Sequence, residues 1–182
     1  MKTSLRSSDI SENMLLEAGL VRHSEGGTNT YDFFRDRVIF PICDNRSRII
    51  AFGGRTLDNG EPKYLNSPDT PLFDMRCTLY SLDRARKVAR DLGRYIVTEG
   101  YMDVISLYQA GFTETVAPLG TAVTEHHLLE LWRVCDEPIL CFDGDKAGLG
   151  ATVRAAERAL PLLRPEKSRL FVRLPFDEDP DI

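Results

Sequence analysis

Apolar positions change their rhythm once along this chain. Up to about residue 80 they come in short runs broken by Gly, Asn, Asp and Pro. "SSDISENMLLEAGLV" predicts a short helix, with Ser8 or Asp9 as cap, Met14, Leu15 and Ala18 on one face, and Gly19 as its stop. "RVIFPIC" and "RIIAFGGR" predict two strands of a hairpin joined by the turn "DNRS", and "KYLNS" a short strand after the turn "DNGEP". From Ser81 onward, blocks of strand and helix alternate. "SLDRARKVARDLG" reads as a helix from Ser81 to Gly93, and "YMDVISLYQAG" as one closed by Gly111. "TEHHLLELWRV" reads as a helix capped by Thr124, with His126 and His127 at its surface, and "KAGLGATVRAAERALPLL" as a fourth. Between them "RYIVTEG", "ETVAPLG", "EPILCFDGD" and "SRLFVRLPF" read as strands. The pattern predicts an α/β protein: a mixed α+β subdomain over 1–88, then a parallel sheet with helices on its faces over 89–182.

Parallel strands end on one edge, and ligands bind outside their carboxyl ends. Three of the predicted strands deliver acids there: Glu99 after "YIVT", Asp143 and Asp145 after "ILCF", and Asp177, Asp179 and Asp181 after the last strand. Asp103 follows Glu99 by four residues, so the first helical turn can face it the same way. Such carboxylates repel unless their pKa values rise or a cation neutralises them. Oxygen ligands without His or thiolate suit Mg²⁺ or Mn²⁺. A single Asp-x-Asp after a strand is weak and reads more readily as a helix cap; three acid-bearing strand ends favour metal. Gly148 and Gly150, each unfavourable by about 1 kcal/mol in a helix, suggest a close backbone approach to a ligand or neighbouring strand.

Composition adds modest bounds. No apolar run nears the roughly 18 residues of a membrane span, and "MKTSLRSSDI" lacks a signal-peptide core. Cysteines at 43, 77, 135 and 141 form no C-x-x-C pair, which argues against zinc and disulfides and for a cytoplasmic chain. The net charge of −5 disfavours nucleic acid on its face, but the excess is local. Residues 1–66 carry nine basic and nine acidic side chains, and 67–182 carry 14 and 19.

"IVTEGYMDVISL", "APLGTAVTEHH", "CFDGDKAG" and "DEDPD" together resemble the TOPRIM domain in the version carried by DnaG-type bacterial DNA primase. "FRDRVIFPI", "AFGGR" and "PKYLNSPDTPLF" resemble the N-terminal part of that family's RNA polymerase core, so the resemblance runs over nearly the whole chain. It implies a TOPRIM, Rossmann-like second subdomain. It also implies synthesis of short RNA primers on single-stranded DNA from nucleoside triphosphates, by metal-dependent nucleotidyl transfer that releases pyrophosphate. Carried over by motif, Glu99, Asp143 and Asp145 hold the catalytic metal, Asp179 and Asp181 complete the acidic cluster, and Asp103 is a supporting contact.

The same resemblance places Arg35, Arg37, Arg55, Lys63 and Asn66 toward template and nucleotide. Surface pairing of Arg35 and Arg37 with Asp32 and Asp36 is the plainer alternative. Tyr64 could stack on a base or simply half-bury in its strand. Gly120 and Thr121, at a helix entrance, could receive a phosphate or form an ordinary tight turn. The family's zinc ribbon and helicase-binding domain are not in the chain, which stops just after "DPD"; the expectation is a trimmed, monomeric core that meets the replicative helicase only through the absent domain. An aspartate-phosphorylated receiver, a dehalogenase-like phosphatase and a non-catalytic nucleic-acid module remain alternatives. The phosphatase motif wants threonine where this chain has Ala147.

Overall fold

The structure, a computed structural model, describes residues 9–24, 26–58, 60–165, 168, 170–175, 178 and 180. Two compact units divide the chain: Met1–Ile42 with Ile49–Asp74, and Cys43–Arg48 with Met75–Ile182.

In the first unit, α1 (Glu12–Glu17) is capped by Ser11, whose Oγ accepts from the Met14 N–H at 3.3 Å. The expectation of Ser8 or Asp9 as cap is corrected here: Asp9 takes a left-handed φ of 60°, and the cap falls at Ser11. Leu15 is buried, whereas Met14 is exposed. The helix ends before Gly19, at φ +67°, where a Cβ would stand 2.8 Å from the Pro68 ring. β1 (Val21–His23) and β2 (Thr30–Asp32) form an antiparallel pair. β3 (Arg37–Cys43), β4 (Ile49–Thr56) and β5 (Tyr64–Asn66) form a sheet in that order. The predicted β3–β4 turn is closed by Asp44, which accepts from the Arg46 and Arg48 backbone N–H groups and from Arg48 Nε. These bonds hold its carboxyl at about 2.

The second unit carries a five-stranded sheet ordered β10-β9-β7-β8-β6. Its strands are β6 (Leu79–Tyr80), β7 (Ile96–Val97), β8 (Thr115–Pro118), β9 (Ile139–Phe142) and β10 (Leu170–Arg173). All neighbours are parallel except β6, an antiparallel edge strand on β8. The helices are α2 (Leu82–Leu92), α3 (Tyr101–Gln109), α4 (Glu125–Leu131) and α5 (Lys146–Ala159), followed by a 3₁₀ turn over Leu160–Leu162. The strands are buried because Val97, Val116, Leu140 and Phe142 pack with Ala85, Ala89, Leu128, Leu131, Trp132 and Ala155 in one core.

Gly93 and Gly111 stop α2 and α3 as expected, at φ +69° and +98°. Ser81 precedes α2 without capping it through its side chain, because its backbone is left-handed at φ 65°. His127 is a further correction. It is fully buried, not at the surface, because its Nδ1 accepts from the Thr124 N–H while Thr124 Oγ1 accepts from the His127 N–H, each at 3.2 Å. This reciprocal cap gives the imidazole the role a glutamate usually fills. Among the described residues no helix is long and apolar enough to cross a membrane.

The chain order makes β7 the switch point. From β7 the chain runs through α3 to β8 on one side, and then through α4 to β9 on the other. With right-handed crossovers, α3 covers one face and α4 and α5 the other, and α4 does pack on α5. The crevice at the carboxyl ends of β7, β8 and β9 is where such a sheet binds ligands.

The junction from β9 into α5 is tight. A Cβ on Gly148 would lie 2.1 Å from the Asp143 carbonyl oxygen, and one on Gly144 would lie 1.9 Å from that of Pro175. The approach at Gly148 is made by the backbone of the chain's own Asp143 and not by a ligand or a neighbouring strand, and at Gly150 the near atom is Arg154 Nη1 of the same helix, so the expectation is corrected at both glycines. Gly148→Ala should lower stability by about 2 kcal/mol or more through overpacking, although alanine is the better helix former by about 1 kcal/mol. Denaturant melts of parent and variant check this; a gain in stability would mean the junction opens without cost.

Candidate active site at the strand edge

The register of the sheet assembles the acids. Val97 lies opposite Leu140 and Val116, so the residues two beyond each, Glu99, Phe142 and Pro118, come level at one edge. Glu99 Oε1 accepts from the Asp143 backbone N–H at 3.2 Å. Asp103 Oδ2 accepts from the backbone N–H of Glu99 at 3.2 Å and of Gly100 at 2.9 Å, which secures both the Glu99 backbone and the start of α3. Asp145 caps α5: its Oδ1 accepts from the Gly148 N–H at 2.7 Å, beside the positive end of the helix dipole. Burial pushes the Glu99 carboxyl up, and the charges of Asp103 and Asp145 push it further, against the Asp143 N–H and Arg154. The Cys141 thiol, half-buried in β9, is also raised by burial and by Asp103 and Asp143.

Two cavities open on this edge. One of about 210 Å³ is lined by Glu99, Gly120, Thr121, Phe142 and Arg154 among others. Another of about 400 Å³ runs along Asp143, Gly144 and Asp145 toward Phe171 and Leu174. Gly120 is exposed, with φ +70°. The Gly144 N–H donates to the Glu178 carbonyl at 2.8 Å, so the strand edge and the segment after β10 meet at that point. Asp177, Asp179 and Asp181 lie outside the described residues.

The basic candidates lie in the first unit. Arg55 and Tyr64 are paired across β4 and β5, with the Arg55 guanidinium 5.9 Å and the Lys63 ammonium 5.8 Å from the Tyr64 ring centre. Arg37 Nη1 donates to the Lys63 carbonyl at 3.3 Å. A Cβ on Gly54 would come within 2.9 Å of Phe34 and 3.1 Å of Arg37, so the glycine leaves room for both. Arg55 Nε is buried without a hydrogen-bond partner among the described residues, and Arg55 and Lys63 line a polar cavity of about 670 Å³ together with Asp58 and Glu61. Arg35 stacks its guanidinium 4.9 Å from the Tyr31 ring centre and stands apart from this group. Asn66 lies opposite Gly53 at the far end of β5.

Residues 1–86 match the DNA primase catalytic core, N-terminal domain, and residues 93–170 match the Toprim domain. The DNA primase of Pseudomonas putida is 50% identical over 94% of this chain and 26% of its own length. That of Pseudomonas aeruginosa is 52% identical over 92% of this chain and 25% of its own length. The chain belongs to the DNA primase catalytic core family. A crystal structure of a DNA primase domain from Pseudomonas aeruginosa superposes with a TM-score of 0.89, at 51% identity, over 93% of this chain and 53% of that one. A DnaG primase catalytic domain bound to single-stranded DNA superposes at 0.86, with 44% identity, over 97% of this chain and 55% of that one. The chain spans about a quarter of the length of the curated primases it matches. The receiver, phosphatase and non-catalytic readings are not favoured by these matches.

Members of the Toprim primase family use a divalent metal. Among the described residues no three His, Cys, Asp or Glu side chains converge closely enough to hold an ion. In this arrangement Asp103 and Asp145 each commit an oxygen to backbone N–H groups. The donor set nonetheless fits a hard cation. It is all carboxylate oxygen, and the Glu99 carboxyl, pushed up first by burial, is pushed up further by the charges of Asp103 and Asp145. Reasoning from sequence missed Arg154. An arginine within a helix carries no signal until the sheet topology shows which cavity it borders.

The raised Glu99 pKa has a definite pH consequence. Folding favours the protonated form, so this contribution to stability is present below the ordinary value of 4.5 and is lost as pH rises through the raised value. Without metal, Glu99→Gln should therefore melt close to the parent at low pH and above it at neutral pH. Thermal melts in chelator across this range test the sign; a variant that never exceeds the parent would show that the Glu99 charge is not strained.

Proposed function

We propose that this chain makes short RNA primers on a single-stranded DNA template. A nucleotide 3′-hydroxyl attacks the α-phosphate of the next nucleoside triphosphate, and pyrophosphate leaves. The observation that carries this reading is the strand edge itself: Glu99 on the central strand bonded to Asp143 on its neighbour, within a chain whose two parts match the two parts of a primase core. The cation would be Mg²⁺ or Mn²⁺, held by Glu99, Asp143 and Asp145, with Asp179 and Asp181 joining by motif. Such an ion supplies charge neutralisation to the phosphates and activates the attacking hydroxyl. Asp103 keeps the Glu99 backbone in place, and Gly120 and Thr121 border the same cavity as Glu99. No zinc is assigned to the chain. It acts in the bacterial cytoplasm as a monomeric core, and the replicative helicase meets the longer protein through another domain.

The experiment is primer synthesis from labelled nucleotides on single-stranded DNA, paired with thermal melts with and without Mn²⁺. Asp143→Asn and Asp145→Asn should each cost about a hundredfold or more in synthesis and lose the Mn²⁺-induced gain in stability. Asparagine is the right substitute at 145 because it still caps a helix, whereas alanine would lose about 1 kcal/mol of cap. An unchanged Mn²⁺ response in both variants removes the metal site from this edge.

Template and nucleotide contacts are assigned to Arg35, Arg37, Arg55, Lys63, Tyr64 and Asn66. The orphaned Arg55 Nε supports an anionic ligand at Arg55 and Lys63; Asp58 and Glu61 line the same polar cavity, so the contact must be made at the two basic groups and not by the cavity as a whole. Arg55→Ala and Lys63→Ala should each weaken single-stranded DNA binding with the fold intact. With three or four phosphates contacted, the logarithmic salt dependence should have a slope of about −2 to −3. Fluorescence anisotropy at several salt concentrations decides this; parent-like binding by both variants removes them from the interface.

A further inference from the structure

Helix α5 carries two arginines one turn apart, Arg154 and Arg158, on one face. Arg158 Nη1 donates to the Val123 carbonyl at 2.7 Å and to that of Ala122 at 3.4 Å. It ties the loop after β8 to the helix. Arg154 borders the cavity of about 210 Å³ with Glu99 and Thr121. Gly150, one turn before Arg154, explains how it gets there. A Cβ at Gly150 would stand 3.1 Å from Arg154 Nη1, so the guanidinium lies back along the helix toward the acidic junction. Thr121 Oγ1, in the loop that Arg158 ties down, is buried without a hydrogen-bond partner among the described residues.

The cavity thus holds a carboxylate, a guanidinium and an unmet hydroxyl, between apolar walls that include Val123, Phe142 and Ala151. A bare cation is repelled by Arg154, and a bare anion by Glu99. A phosphate group that brings its own divalent cation satisfies both charges and can bond the hydroxyl. We propose that Arg154 and Thr121 form the phosphate-receiving wall of this cavity, and that its ligand is the polyphosphate tail of a nucleotide, or the pyrophosphate it releases. The identity of the ligand rests on the nucleotidyl-transfer reading. A small recess suits a polyphosphate end better than a continuous sugar–phosphate backbone.

The probes are Mn²⁺ alone, inorganic pyrophosphate as its Mg²⁺ complex, and an oligodeoxynucleotide without terminal phosphates, titrated calorimetrically into parent, Arg154→Gln, Arg154→Lys and Thr121→Val. Circular dichroism melts establish that each variant folds. Pyrophosphate affinity should fall about tenfold or more in Arg154→Gln, as loss of a charge-assisted bond requires, less in Arg154→Lys, and severalfold in Thr121→Val. Mn²⁺ alone should bind Arg154→Gln at least as tightly as the parent, because a repelling charge has gone. Parent-like pyrophosphate binding by Arg154→Gln overturns the proposal, as does loss of Mn²⁺ binding together with a lowered melting temperature. An Arg154-dependent loss confined to the oligonucleotide also overturns it. If the parent binds Mn²⁺ but no pyrophosphate, this inference fails and the metal reading stands. If it binds pyrophosphate through Arg154 but no Mn²⁺, the reverse holds. If it binds neither, both fail.

Discussion

The hydrogen bond from the Asp143 amide to the Glu99 carboxylate is the interaction on which the rest of the site depends. It exists because β7 and β9, separated by more than forty residues of chain, lie side by side and parallel, with Val97 opposite Leu140. The bond is a compromise. It steadies a half-buried carboxylate, while burial and the charges of Asp103 and Asp145 push the same group toward protonation. A fold that keeps this arrangement carries a local electrostatic cost, which a bound cation would offset.

Backbone devices hold the acids in place around that bond. Asp145 caps α5, Asp103 secures the first turn of α3, and Gly144 and Gly148 admit backbone where no side chain could fit. Capping and metal binding are therefore not competing explanations of "DGD". The helix cap orients Asp145 through one oxygen, and a carboxylate has a second. The same economy appears in α5, where Arg158 binds loop carbonyls and the residue one turn earlier borders the cavity.

In the first unit the basic side chains are arranged by aromatic packing as much as by charge. Tyr64 lies near both Arg55 and Lys63, and Tyr31 underlies Arg35. Cations held over rings keep their charge and lose part of their rotational freedom, which lowers the cost of ordering them on a ligand.

The type and order of the longer elements were legible in the sequence, because they follow from local periodicity and from glycine stops such as Gly93 and Gly111; the two- and three-residue strands β1, β2 and β6 were not, because so short a run shows no period. The meeting of Glu99 with the Asp143 junction at one edge was legible too, because parallel strands share their direction. Other features needed the folded molecule. The cap of α1 moved to Ser11 because Asp9 took a left-handed backbone, a choice that several candidate residues left open. His127 went inside because Thr124 could exchange hydrogen bonds with it, although both histidines of "EHH" look alike in the chain. β6 joined the sheet antiparallel through a partner nearly forty residues away. Which groups carry charge and which strand ends carry acid can be read along the chain. Which of them meet cannot, because strand order and register depend on contacts between distant segments that no local pattern records.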